Sequence, residues 1–195
     1  MRRYGLAIIT ALMCASLPLP APGQGKGNGH SPFSVSAEPD GWVINCSSHP
    51  LPSGTVTLEG APHLLFFSPA ISSPSDSGAP QLPVETVNLG IPYDAGISIE
   101  LTNPVYENRV DQLVAPAPRY RKNRDGESIT IFQKDASAYS ANRFYPGREI
   151  WAGTPLTLRG QRIAPVHIVS AQYNPATRIL RRLVGGTVHV RLIGR

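Results

Sequence analysis

Twenty prolines in 195 residues constrain the fold of this chain more than any other feature. A proline lacks the backbone donor and clashes with the turn before it, so it breaks helix interiors yet is tolerated at strand entries, edges and turns. No window of about 11 or more residues shows a helical period here. Between the prolines lie short apolar or alternating runs, broken by Gly, Asn and Asp. They predict strands at Gly41–Cys46, Thr55–Glu59, Leu64–Phe67, Val84–Ile91, Ile97–Thr102, Asn108–Val114, Ser128–Gln133, Leu156–Arg162, Val166–Tyr173, Arg178–Val184 and Thr187–Ile193. The clearest alternation comes last, with Val188, Val190 and Leu192 on one face and His189 and Arg191 on the other. Many short strands separated by turn signals mean a sandwich or barrel. The expected fold is all-β, an antiparallel, jelly-roll-like β-sandwich in a single domain.

Three turns have chemical grounds. Asn174-Pro175-Ala176-Thr177 places Asn at the first position of a turn and Pro at the second, where its fixed φ fits. It should join the strands on either side as a hairpin. Gly160 reads as a bulge or bend within one strand. Gly185-Gly186 fits either a hairpin turn or a weak point in one long bent strand, and the bent strand is favoured.

The first 25 residues read as an export signal. Arg2 and Arg3 precede an uncharged apolar run from Leu6 to Leu19, and Ala21-Pro22-Gly23 offers a cleavage site near Gln24. Pro18, Pro20 and Pro22 interrupt the run before it reaches the roughly 20 residues of a membrane span. Cys14 follows Met13 inside the apolar run, which does not fit a lipoprotein site. Residues 26–39, rich in Gly, Ser and Pro, read as a flexible leader. Residues 40–195 then form the domain, exported across a bacterial inner membrane to the periplasm, cell surface or medium, with no membrane contact once the signal is gone. The only cysteine after the signal is Cys46, so no internal disulfide forms and packing must hold the fold. Between Ile44 and Ser47 it reads as a small core residue.

A search for chemistry returns little. The five histidines, His30, His49, His63, His167 and His189, show no metal-site spacing, and no cofactor is expected. There is no phosphate-binding glycine loop and no Gly-x-Ser-x-Gly elbow. Cys46 and His49 are three apart, but nothing nearby would lower the thiol pKa. Asp125 and Glu127 read as solvated loop charge, and His167 and His189 as residues facing solvent. No catalytic residue is assigned.

Charge is divided unevenly. Residues 26–108 hold one base and eight acids, whereas residues 109–195 hold fifteen bases and five acids. Such asymmetry implies an electrostatic partner for the second half. Its charges alternate with apolar residues on expected strands and carry no nucleic-acid motif, so an acidic protein surface is favoured over nucleic acid.

One ordered series of local patterns goes further. Gly78-Ala79-Pro80-Gln81-Leu82-Pro83 enters a strand, and Val114-Ala115-Pro116-Ala117-Pro118 precedes a basic loop. Tyr139, Phe144-Tyr145-Pro146-Gly147, Arg159-Gly160-Gln161-Arg162, Pro165 and Tyr173-Asn174-Pro175-Ala176-Thr177-Arg178-Ile179-Leu180 follow in order. The series resembles the N-terminal propeptide of gingipain-type cysteine peptidases of clan CD, over about residues 75–193. The resemblance implies a domain that assists folding of the peptidase and keeps it latent by covering its active-site cleft. Its partner would be the cognate cysteine peptidase domain, joined in cis or met in trans. No His-Gly or Ala-Cys pair of the clan's catalytic dyad follows the signal, so the expectation is either a piece of a longer precursor or a free-standing prodomain. The resemblance also points to the loop Arg119-Tyr120-Arg121-Lys122-Asn123-Arg124-Asp125. Counting back from Phe144, Arg124 matches the family's pocket-filling basic residue best, with Arg121 second and Arg119 in the same cluster. A guanidinium entering an acidic pocket gains bidentate hydrogen bonds to a carboxylate. The alternatives are a free-standing peptidase inhibitor and a secreted binding or adhesion module, for which Trp42, Trp151 and Tyr145 are the platform candidates.

Overall fold

The structure is a computed structural model that describes residues 33–67 and 77–194. The expected export signal lies outside the described residues, as does the first part of the expected leader.

The most regular alternation in the sequence becomes the spine of the first sheet. β13 (Ile179–Ile193) pairs along one edge with β6 (Gly96–Arg109) over its whole length. Its other edge is shared: β12 (Ala171–Asn174) pairs with the first part and β2 (Gly41–Ser47) with the last, and β1 (Phe33–Glu38) lies outside β2. The second sheet is centred on β11 (Gln161–Val169). β5 (Val84–Ile91) takes one edge, and the short strands β9 (Ile150–Ala152) and β10 (Leu156–Leu158) share the other. All these pairings are antiparallel.

The inward positions of β2, β5, β11 and β13 close on one another. Ile44, Cys46, Leu89, Val166, Ile168, Leu183, Val188 and Val190 form the main core. Full burial of each aliphatic side chain contributes about 1.5–3 kcal/mol. The Cys46 thiol is raised to a pKa of about 11, chiefly by burial and then by the Glu85 charge, so it stays protonated and inert. A second cluster of Phe66, Leu82, Val114, Ala171, Tyr173 and Leu180 also brings Tyr139 and Tyr145 against it.

The two sheets are joined at a corner. The chain leaves the second sheet at Val169 and enters the first at Ala171, so the expected strand Val166–Tyr173 is two strands in different sheets. Buried Ser170 makes the switch: its N–H donates to Pro83 O at 3.1 Å, its O accepts from Leu183 N at 3.0 Å, and its hydroxyl donates to Glu85 Oε2 at 2.7 Å. Bends of this kind let one strand serve both layers.

Other differences from the sequence reading have identifiable causes. Ile97–Thr102 and the start of Asn108–Val114 are one strand, because Asn103 (φ 49°) and Pro104 are accommodated in a bulge opposite Gly186. A Cβ at Gly186 would crowd Pro104, 3.2 Å from its Cα, and the φ of 141° is one that other residues rarely adopt. Arg178–Val184 and Thr187–Ile193 are accordingly one bent strand. Arg159-Gly160 is a two-residue hairpin turn, both residues at positive φ, and not a bend within a strand. β1 falls inside the stretch expected to be a leader, where its backbone pairs with β2 and Phe33 packs against the core.

The Asn174 turn forms as expected. Asn174 Oδ1 accepts from Ala176 N at 3.2 Å and Thr177 N at 3.3 Å, and β12 pairs back onto β13. Pro175→Ala should therefore cost about 0.4–1 kcal/mol, by freeing the unfolded chain. Urea denaturation checks this, and an unchanged midpoint contradicts it.

Candidate functional site

The stretch after β6 carries no regular strand, yet its backbone is pinned on two sides. Leu64 N donates to Leu113 O at 2.7 Å and Ala115 N to Leu64 O at 2.8 Å, against β4 (Ala61–Phe66). Gln81 N donates to Ala115 O at 2.9 Å, Ala117 N to Ala79 O at 2.8 Å and Gly78 N to Ala117 O at 3.1 Å on the other side. Val114 and Ala115 are fully buried, and the Tyr139 hydroxyl donates to Val114 O at 2.9 Å. Pro116 and Pro118 supply no donors, which suits a segment whose other hydrogen bonds are already assigned. The Gly-Ala-Pro-Gln-Leu-Pro and Val-Ala-Pro-Ala-Pro patterns thus lie side by side as a clamp.

From this clamp rises a hairpin where the sequence reading expected a loop. β7 (Arg119–Lys122) pairs with β8 (Ser128–Ile131), Arg119 opposite Ile131 and Arg121 opposite Ile129. Side-chain alternation puts Arg119, Arg121, Ile129 and Ile131 on one face and Tyr120 and Lys122 on the other. The chain re-enters at Asp135, whose N–H donates to Gly78 O at 2.9 Å. Asp135 then caps the short helix α1 (Ala136–Ser140), accepting from Ser137 N at 2.8 Å and Ala138 N at 3.0 Å. Both ends of the hairpin are therefore fixed to the Gly78 segment.

Arg124 sits at the tip, in the connection 123–127. Every residue from Arg119 to Ile131 is exposed except Asn123, and Tyr120 is 74% exposed. Part of the basic excess elsewhere is neutralised within the fold. Lys134 reaches Glu59 at 2.7 Å and Arg181 reaches Glu149 at 3.2 Å, while Arg182 lies 3.8 Å from Glu107. Arg181 is also stacked between the Tyr106 and Phe144 rings. Among the described residues no ion pair within 4 Å engages Arg121, Lys122 or Arg124. Arg119, Arg121, Lys122 and Arg124 thus form an exposed basic cluster on the hairpin, with Asp125 and Glu127 beside it in the turn.

The remaining sequence candidates are dispersed. Cys46 is in the core, and His49 turns to Glu85 at 2.9 Å, so the two do not form a nucleophile–base pair. Trp42 is on β2 of the first sheet, against the main core, whereas Trp151 is on β9 of the second. Tyr145 is bound by its backbone to Tyr173 and packs on the second cluster. The three do not assemble into one platform. Asp125 and Glu127 lie in the hairpin turn, and His189 is half-buried on β13.

His167 differs from its expected solvent-facing role. Its ring stacks on Trp151 at 4.8 Å, with the Arg148 guanidinium 4.2 Å from the indole centroid, and Nδ1 lies 2.9 Å from Thr86 Oγ1. Burial first, and the Arg148 charge second, lower its pKa below the ordinary histidine value. The folded state then binds fewer protons than the unfolded state, so this contribution is fully present above the unfolded pKa and is lost as pH falls toward the folded one. Urea midpoints should fall on acidification from about pH 7 to about pH 5. His167→Gln should lessen that fall, and an identical pH dependence in parent and variant contradicts the assignment.

Comparison with known proteins bears on the same region. Residues 68–191 match the family model Propeptide_C25. Gingipain R1 of Porphyromonas gingivalis is 29% identical over 117 residues, which is 60% of this chain and 12% of that protein. Gingipain R1 of strain ATCC 33277 gives the same identity over the same length, 7% of it. The chain therefore spans only a small part of the curated relatives it matches. Among solved structures, the complex of Porphyromonas gingivalis RgpB pro- and mature domains contains a chain matching with a TM-score of 0.71 at 23% identity, covering 84% of this chain and 85% of that one. A structure reported for the zymogenic latency of gingipain K, from the same organism, matches with a TM-score of 0.67 at 15% identity, covering 83% and 92%. The pinned Pro-rich segments, the hairpin and the Asn174 turn all fall within the matched residues, and the chain belongs to the Propeptide_C25 family as a gingipain-type propeptide domain.

Proposed function

We propose that this domain assists the folding of a secreted gingipain-like cysteine endopeptidase and holds it latent by laying the β7–β8 hairpin across its active-site cleft. Arg124, or failing it Arg121, enters an acidic specificity pocket, and Arg119 adds charge nearer the base. The observation that carries this reading is the hairpin itself: exposed, cationic, and anchored at both ends to a buried clamp. An anchored strand pair presents a side chain with little ordering left to do on binding, which favours affinity. The peptidase is the partner, and no cofactor or metal takes part. Export directed by residues 1–25 belongs to the same proposal, since a latent peptidase must cross the membrane before it acts.

The test is to titrate the exported form of the chain against the peptidase encoded with it, or against gingipain R1, following hydrolysis of a small arginyl substrate. Stoichiometric, saturable inhibition is the expected result. Full activity at a large molar excess of the domain would overturn the proposal.

A further inference from the structure

A recess of about 360 Å³ lies where the paired ends of β6 and β13 meet β4, its neighbour β3 (Ser53–Leu58) and the segment before it. Its lining joins two chemistries. Leu51, Leu64, Phe66 and Leu180 form an apolar wall, and all four belong to the second cluster or pack on it. Beside them stand two guanidiniums, Arg109 and Arg182, with Ser53 and Gln112 adding a hydroxyl and an amide. The register explains this arrangement: Leu180 is paired with Arg109 and Arg182 with Glu107, so the four side chains share one face.

The two arginines are under-satisfied. Arg182, whose side chain is 13% exposed, donates from Nη2 to His49 O at 2.6 Å. Its Nη1 is 3.8 Å from Glu107 Oε2, too long for a hydrogen bond, and its Nε is buried with no acceptor. Glu107 also serves Arg109 Nε at 3.3 Å and does not itself line the recess. One carboxylate thus faces two guanidiniums, which leaves one net positive charge beside apolar surface. A poorly hydrated guanidinium with an unmet donor gains most from an anion that reaches it.

We propose that this recess binds a carboxylate carried on an apolar body, and that its occupant is an acidic side chain, flanked by apolar residues, of the peptidase that the domain restrains. One negative charge matches the one excess positive charge, whereas a doubly charged phosphate would be repelled by Glu107. The apolar wall takes up the carbon chain that carries the carboxylate. The recess is open on one side, so a free acid would stay largely in water. A segment of a docked protein closes the mouth and dehydrates the charge pair. None of the lining residues belongs to β7 or β8, so this contact is separate from the hairpin. Carboxylate recognition stands on the recess alone, and only the identity of the occupant rests on the peptidase being the partner.

The experiment has two arms. In the first, the blocked peptide acetyl-Leu-Glu-Leu-amide and its Gln counterpart are titrated into the domain, and backbone amide signals are followed by NMR. The Glu peptide should shift Ser53, Leu64 and Gln112 and bind at least about tenfold more tightly than the Gln peptide, as a charge-assisted bond implies. Arg109→Gln should remove most of that preference. Equal binding of the two peptides, or no shift from either at millimolar concentration, overturns carboxylate recognition. The second arm measures inhibition constants for the parent, Arg109→Gln, Arg124→Ala and the double variant. Arg109 is the residue changed because it is half exposed and its loss leaves the Arg182–His49 bond in place. Arg109→Gln should keep the urea midpoint of the parent and raise the inhibition constant about fivefold in both backgrounds, because separate contacts contribute independently. An unchanged constant in both backgrounds means that the peptidase is not the occupant. If Arg109→Gln weakens inhibition and Arg124→Ala does not, the hairpin plug is wrong and the recess stands.

Discussion

Arg124→Ala should raise the inhibition constant of the domain at least about thirtyfold, the low end of the roughly 2–5 kcal/mol lost when one partner of a desolvated charge pair is removed. The size follows from where the guanidinium goes. At the exposed tip it has no carboxylate within ion-pair reach among the described residues, so binding breaks no existing pair. In an acidic pocket it would face a carboxylate in bidentate geometry, and its removal strands that carboxylate without water or partner. Exposed arginines elsewhere make the contrast. Arg159, in the β10–β11 turn, and Arg191, on β13, should contribute only long-range attraction, so their removal mainly slows association and fades with added salt. If Arg121→Ala gives the large effect and Arg124→Ala does not, the plug lies on the hairpin face, opposite Ile129. If both variants inhibit like the parent, the pocket plug is wrong and the domain acts through shape and its wider basic face.

What the sequence discloses, and what it conceals, follows from how each element is held. Val84–Ile91 is legible to the residue because Pro83 marks its entry and Val87, Leu89 and Ile91 alternate with exposed Asn88 and Gly90. The last strand is legible from the same kind of alternation, and its bend is marked by the Gly185-Gly186 pair. β7 is not legible. Arg119-Tyr120-Arg121-Lys122 buries nothing, and only its pairing with β8 and the Asn123 turn makes it a strand. β1 is concealed similarly, since five of its six residues are exposed and its sequence reads as linker. Asn108–Val114 shows the opposite error: the apolar residues are there, but past Arg109 the chain leaves the sheet and is held by isolated bonds to β4 and the Gly78 segment. The region proposed to meet the peptidase is visible in the sequence as a charge cluster, because a run of bases can be read without knowing its geometry. Asn123 was not singled out, although its Oδ1 accepts from Asp125 N at 2.9 Å and Glu127 N at 2.8 Å, and an Asn three residues before a Gly is the local signal for such a turn.

Tyr173→Ala should cost about 3–5 kcal/mol of folding stability, as for truncation of a large buried aromatic residue. Tyr173 is 2% exposed and packs with Phe66, Leu82, Val114 and Leu180, so the lost ring leaves a cavity where β12, β13 and the Val114 segment meet. Its hydroxyl also donates to Gln112 O at 2.9 Å. Tyr173→Phe keeps the ring and loses only that bond, which should cost about 0.5–1.5 kcal/mol. Urea denaturation at neutral pH separates the two. An alanine variant as stable as the phenylalanine variant would show that the cluster collapses around the cavity and that packing there is loose. The same residue links stability to latency, because Gln112 and Val114 lead directly into the clamp beneath the hairpin. Tyr173→Ala should therefore weaken inhibition only as far as it populates unfolded or loosened chains, and the loss should diminish on cooling toward the temperature of maximum stability. Arg124→Ala should do the reverse, leaving the urea midpoint unchanged while inhibition is lost at every temperature. A stable domain that fails to inhibit and an unstable one that inhibits when folded are distinct outcomes, and together they separate the framework of this propeptide from its point of contact.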